Sequence, residues 1–296
     1  MSAETGHPLA TVCRIAGVSR SAASERRRRE RQGPPERPKR KRGPLGAMSD
    51  ADLRAEIHQT IEDSPFTGEG HRKIWARLRR RGIRTARKRV LRLMREDGIL
   101  APTPQVRKRA ARLHDATITV EEPDTLWATD ATEGFSEVDG RCAVFVIVDH
   151  GSGELFFDAA LRMDRFAAAD LLREVTIERF GSVEAAVASG LALRYDGGPC
   201  FRSAHYQAEI DHLGISRSPA YHYEPETNGC AERAIQTIKE QLLWIERFET
   251  FEELRAAVRA FGRLYNAEWL LERHGYRTPI EARQWLLAAA EEAQIA

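Results

Sequence analysis

The sequence predicts an all-α, basic N-terminal region followed by an α/β domain with a mixed five-stranded sheet. Two observations carry this. Residues 1–114 hold 29 Lys/Arg against 12 Asp/Glu, whereas residues 115–296 hold 17 against 32, so a net charge of only +2 hides a polarised chain. The apolar pattern also changes period near residue 123, from helical spacing to strand-like runs such as Cys142–Val148 (CAVFVIV). A basic arm on an acidic globular part is the footprint of a nucleic-acid-binding protein.

The helical region comes first. Leu9, Val12 and Ile15 have helical spacing. Ala16-Gly17-Val18-Ser19 reads as a tight turn ending in an N-cap, and Arg20–Arg31 as a second, basic helix. Residues 1–32 are therefore a small helix-turn-helix-like unit. Residues 33–48, with four prolines in GPPERPKRKRGPLGA, are a basic linker. Residues 49–100 predict a second helix-turn-helix-like DNA-binding domain of three helices. Its apolar positions are Leu53, Ile57 and Ile61, then Ile74 and Leu78 over about His71–Arg81, then Val90, Leu93 and Met94 after Thr85 as N-cap. Lys88, Arg92 and Arg95 fall at i, i+4, i+7 on another face, a basic stripe suited to DNA. Residues 101–122 are a second linker.

Residues 123–290 predict the α/β core with its C-terminal helices. Thr125–Phe135, Cys142–Val148 and Leu155–Leu161 read as three sequential strands, the second buried on both faces. Arg165–Phe180 is a helix, Ala192–Tyr195 a fourth strand, Ser203–Leu213 a helix and Ile215–Ser218 a fifth strand. Thr227–Arg247 and Phe251–Tyr265 are expected helices. Strand, strand, strand, helix, strand, helix, strand is the order of a mixed sheet.

That order brings three carboxylates together. Asp130 lies in the first strand, Asp196 follows the fourth, and Glu232 sits on a helix after a glycine-containing loop, with 35 residues between Asp196 and Glu232. Other acidic residues rank lower: Asp139-Gly140 reads as a hairpin turn and Asp158 as solvent-facing. Trp127 reads as packing. The four cysteines contain no CxxC pair and no placed histidine, which excludes a disulfide scaffold, a zinc site and a protease. No apolar run reaches the ~20 residues of a membrane helix, and MSAETGHPLA has no leader-like stretch.

These residues carry a resemblance. The two aspartates, the 35-residue gap and the glutamate, with Lys239 seven positions later, resemble the OrfB-type transposases of bacterial insertion sequences, whose DDE core is like retroviral integrase. HPLATVCRIAGVSRSAAS and the block from Asp50 to Ile99 resemble the same family, so about residues 7–285 are covered. HYEPETNGCAER is a PxTNGxxER variant of the family's loop. The resemblance implies a ribonuclease-H-like core and transposition: cleavage at element ends and strand transfer into target DNA. It also implies a homo-oligomer holding two terminal inverted repeats, a bacterial cytoplasmic, nucleoid-associated location, and an upstream-frame partner fused by frameshift.

Under it, Asp130, Asp196 and Glu232 are the catalytic metal ligands, and three hard oxygen donors suit Mg²⁺ or Mn²⁺, taken as two ions. Lys239, Gln236 and Asn228, in and after the loop Tyr223–Gly229, join Lys88, Arg92 and Arg95 as expected DNA contacts. The rival readings are a catalytically silent DNA-binding regulator and a related integrase or nuclease on the same fold.

Overall fold

The computed structural model describes residues 9–32, 48–102, 120, 122–219 and 228–295. The basic linker, most of the second linker and Tyr223–Thr227 of the loop lie outside the described residues. The chain divides into two compact units, Met1–Met48 and Ser49–Ala296.

In the first unit, helix α1 (Leu9–Ile15) and helix α2 (Arg20–Gln32) are joined by a turn. Gly17 takes φ 65° there, a conformation costly for other residues. Ser19 caps α2 by accepting the Ala22 amide at 3.2 Å.

The second unit opens with α3 (Asp50–Glu62), α4 (His71–Arg80) and α5 (Arg87–Glu96). Leu53, Ile57, Ile74, Leu78, Val90, Leu93 and Met94 pack fully buried between them. Ser49 caps α3 through the Asp52 amide. The expected cap at Thr85 is corrected. Ala86 occupies the N-cap without a side-chain bond, because the Thr85 carbonyl is engaged by Trp75 Nε1 at 2.9 Å, tying the turn to α4.

The sheet has order β3-β2-β1-β4-β5. Strands β1 (Leu126–Ser136), β2 (Gly140–Asp149) and β3 (Leu155–Ala160) are antiparallel neighbours. Strand β4 (Ala192–Tyr195) runs parallel to β1, and β5 (Ser216–Pro219) parallel to β4. Alternation along β1 and β2 feeds two cores. Trp127, Phe145 and Ile147 pack with α6 (Arg165–Phe180) and α8 (Ala204–His212) on one face. Ala128, Val144 and Val146 pack with α9 (Gly229–Ile238) and α10 (Phe251–Glu268) on the other. A short helix α7 (Pro199–Arg202) precedes α8, and α11 (Pro279–Ile295) closes the described chain.

Two expectations are corrected here. The helix expected over Thr227–Arg247 ends at Ile238 and continues as a π turn, Lys239–Leu243. The widened turn keeps Leu242 in the core while Gln241 reaches Thr67, accepting its amide at 2.9 Å and donating to its carbonyl at 3.0 Å. Asp158, expected to face solvent, is buried beneath α10, where Arg255 and Arg259 each grip both its carboxylate oxygens at 2.7–2.9 Å.

Candidate active site

The register of the parallel pair explains why two aspartates meet. Ala128 pairs with Arg194, so two residues further on, where β4 has just ended, Asp196 falls beside Asp130. Both then lie on one face of the sheet, because side chains alternate with period two. That is the face Ala128 presents to α9. Ala231, Ala234, Ile235 and Ile238 anchor α9 there, and Glu232, in its first turn, stands on the outer side.

The electrostatics record the convergence. The Asp130 carboxyl is pushed up from 3.8 to about 6, first by burial and then by the charges of Asp196 and Glu232; the Ala131 amide and Lys239 pull the other way. Asp130, Asp196, Glu232 and Lys239 therefore share one field. The carboxylates are not drawn into a single ligating cluster: among the described residues no group of three His, Cys, Asp or Glu is set to hold a metal ion. Asp196 instead accepts the Gly198 amide at 2.9 Å, and Asp130 that of Ala131 at 2.8 Å. Like charges this close need a cation to approach further. An all-oxygen set with no sulfur or imidazole donor fits a hard divalent cation.

The expected DNA contacts divide. Lys239 is half-buried at the first residue of the π turn and acts on the Asp130 carboxyl. The Gln236 amide donates to Glu240 at 2.6 Å. Asn228 is buried and donates to the Thr129 carbonyl at 3.2 Å, so it fastens the start of α9 to the strand residue before Asp130. Lys88 and Arg95 are exposed on α5, but Arg92 bonds Asp50 at 2.6 Å and Glu96 at 2.8 Å and holds α5 to α3.

One arrangement escaped the sequence because its members are 80 positions apart. Cys230 Sγ lies 3.6 Å from His150 Nδ1. Burial raises the thiol and lowers the imidazole to about 4, so both are neutral at pH 7. A neutral pair is a packing contact and supplies no thiolate nucleophile.

Residues 49–109 match the family described as HTH-like domain, and residues 213–279 match the integrase core domain. The transposase InsD for insertion element IS2A/D/F/H/I/K of Escherichia coli is 27% identical over 203 residues, spanning 66% of this chain and 66% of that protein. Transposase InsD for insertion element IS2-9 of strain K12 is also 27% identical, over 66% of this chain and 65% of its own length. Among solved structures, the simian T-cell lymphotropic virus intasome in complex with PP2A regulatory subunit B56 gamma covers 79% of this chain and 74% of its own, at 18% identity and TM-score 0.46. The catalytic core domain of BIV integrase covers 58% of this chain and 99% of its own, at 21% identity and TM-score 0.41.

Proposed function

We propose that this chain, which joins an HTH-like domain to an integrase core domain and is homologous to insertion-element transposases, is a DNA transposase that cuts and joins DNA at Asp130, Asp196 and Glu232. The observation that carries the reading is the placement of Asp130 and Asp196 by the β1–β4 register on the sheet face that α9 and its Glu232 cover. Burial first, and then the charges of Asp196 and Glu232, raise Asp130 to about 6. Such a field suits a cation site, since like charges gathered without a cation oppose one another.

Asp130, Asp196 and Glu232 would hold Mg²⁺ or Mn²⁺, taken as two ions. Bound there, divalent cations activate an attacking oxygen and stabilise a leaving one. Water is the first nucleophile and frees a DNA 3′-OH. That hydroxyl then attacks a second phosphodiester and releases its 3′ oxygen, so no enzyme-linked intermediate forms. Residues of the chain do the positioning. Asn228 fixes α9 against β1, and Lys239 places positive charge where a phosphate must lie. The ends and target are DNA, and joining two ends calls for an oligomer. An upstream-frame partner fused by frameshift belongs to the same reading, as does action at the bacterial nucleoid. Among the described residues no helix is long and apolar enough to cross a membrane.

Lys239→Ala is expected to lower strand transfer at least ~10-fold with the fold and divalent-ion binding unchanged, and Lys239→Arg to restore part of it. An unchanged rate on an end-bearing oligonucleotide would make Lys239 an ordinary solvated lysine. For the basic face, Lys88→Glu with Arg95→Glu in the full chain is expected to weaken duplex binding and to flatten the plot of log affinity against log salt. Each lost phosphate contact removes about 0.9 from that slope. A slope equal to wild type would exclude both residues from the interface.

A further inference from the structure

Arg72, Lys73, Arg77 and Arg80 of α4 are engaged by the core. Arg72 Nη1 donates to both Glu272 oxygens at 2.8 and 2.9 Å. Arg80 donates to Glu281 and to the Tyr276 carbonyl, the latter at 3.3 Å. Arg77 pairs with the buried Glu69 and reaches the Glu268 carbonyl at 3.3 Å. Beneath these pairs Phe66, buried in the same core as α9 and α10, stands edge-on to Trp269 with centroids 4.8 Å apart. The Lys73 ammonium lies over the opposing Trp269 ring. Arg84, Arg87, Lys88 and Arg95 of α5 and its preceding turn are exposed, and Arg87 is near enough to Glu272 to act on its carboxyl.

We infer that the helical block at 49–100 is clasped to the catalytic core through α4, with Arg72 and Arg80 as positioning residues that hold the DNA-facing helix α5 at a fixed place relative to Asp130 and Glu232. The basic residues of this block therefore serve two ends. The exposed ones on α5, Arg87, Lys88 and Arg95, meet DNA, and Arg72, Arg77 and Arg80 of α4 meet groups around the end of α10 and the start of α11. The joint combines an aromatic contact that excludes water with ion pairs that set orientation, the division expected of an interface that must be both stable and specific. With the clasp closed α5 stays open to DNA, so the contact is a brace for the reaction and not a block on it. For the role in strand transfer the inference rests on the transposase reading above; for the clasp itself it does not.

The test uses the full chain. Arg72→Glu with Arg80→Glu sets four acidic groups against one another across the joint. Glu272→Arg with Glu281→Arg sets four basic groups there without removing any basic residue. The fourfold variant restores both pairs in reverse. The ion pairs are half-exposed, so their loss changes stability little. Glu281→Arg also removes the bond Glu281 accepts from the Thr278 amide at 2.9 Å. That capping loss is shared by the double and fourfold variants, so the comparison between those two isolates the ion pairs. Amide hydrogen exchange in α4, affinity for an end-bearing duplex and strand transfer are measured on each. The expected result is faster α4 exchange and strand transfer lowered at least ~10-fold in both double variants. The Glu272→Arg, Glu281→Arg protein should bind DNA no worse than wild type, and the fourfold variant should recover exchange protection and most of the transfer.

Strand transfer that falls only in the Arg72→Glu, Arg80→Glu protein, together with its DNA affinity and without rescue, would make these arginines DNA contacts and overturn the inference. Unchanged α4 exchange in both double variants would overturn the clasp. Transfer equal to wild type with α4 exchange accelerated would overturn the positioning role. A wild-type chain without strand transfer counts against the proposed function, while the exchange arm still decides the clasp.

Discussion

Asp130→Asn, Asp196→Asn and Glu232→Gln are each expected to abolish cleavage and joining of an end-bearing oligonucleotide in Mg²⁺, with duplex affinity near wild type. Each substitution keeps side-chain shape and removes the charge that would hold a cation. The losses should not add, because residues acting as one unit are all needed for any activity. Asp130→Asn carries a second, opposite effect. A carboxyl raised from 3.8 to about 6 favours folding fully below pH ~4, and that contribution is lost as pH rises through 6. Asn has no such loss. At pH 7.5 Asp130→Asn should therefore be more stable than wild type by on the order of 2 kcal/mol, a rise of several degrees in Tm, with the gap closing below pH 4. Added Mg²⁺ should raise the wild-type Tm and leave Asp130→Asn unmoved. Full activity in Glu232→Gln would make the 35-residue gap a coincidence. Wild type inert in both Mg²⁺ and Mn²⁺ while binding end DNA would favour the silent regulator.

What the sequence disclosed followed from how local each feature is. Strands such as β2 and helix α6 announce themselves by continuous or periodic apolar residues, and Arg165–Phe180 came out with its observed bounds. Asp130 and Asp196 are legible as neighbours because the strand order sets the fourth strand beside the first, while the register that aligns them is seen only in the β1–β4 pairing. The π turn at Lys239–Leu243 is not legible, since the contact made from it, Gln241 with Thr67, spans 174 positions. The basic stripe is legible only as charge, for a related reason. Charge density on a helix shows that a partner exists but not which one, and Arg92 spends its charge on Asp50 and Glu96. The bond from the Asn228 amide to the Thr129 carbonyl of β1 likewise joins residues 99 positions apart, which the loop sequence alone does not show.

Asp158 shows the same limit with the largest consequence for stability. Its alternation along β3 suggested solvent, but helix α10 covers that face and brings Arg255 and Arg259 onto one carboxylate. Burial alone would raise this carboxyl; the bonds from Arg255, Arg259 and the Ala159 amide overcome it and leave the group lowered to about 2. A lowered carboxylate contributes stability that is present above pH ~4 and lost as pH falls through 2. Asp158→Asn should therefore lower stability at pH 7, because two guanidinium groups over the sheet lose their counter-charge. Breaking a fully buried pair costs about 3–5 kcal/mol. Here the arginines are 46% and 32% exposed and water can take up part of the loss, so roughly 2 kcal/mol is expected, or several degrees in Tm. Acid unfolding supplies the control. Between pH 4 and 2 the wild type should lose stability faster than Asp158→Asn, and the two curves should converge near pH 2. DNA affinity and the Mg²⁺-induced rise in Tm should match wild type below the melting range, since Asp158 lies on β3, two strands away from β1 and Asp130 and three from β4 and Asp196. A variant as stable as wild type at pH 7 would mean the two arginines hold α10 by packing alone; one that lost its Mg²⁺ response while folded would move Asp158 into the catalytic site.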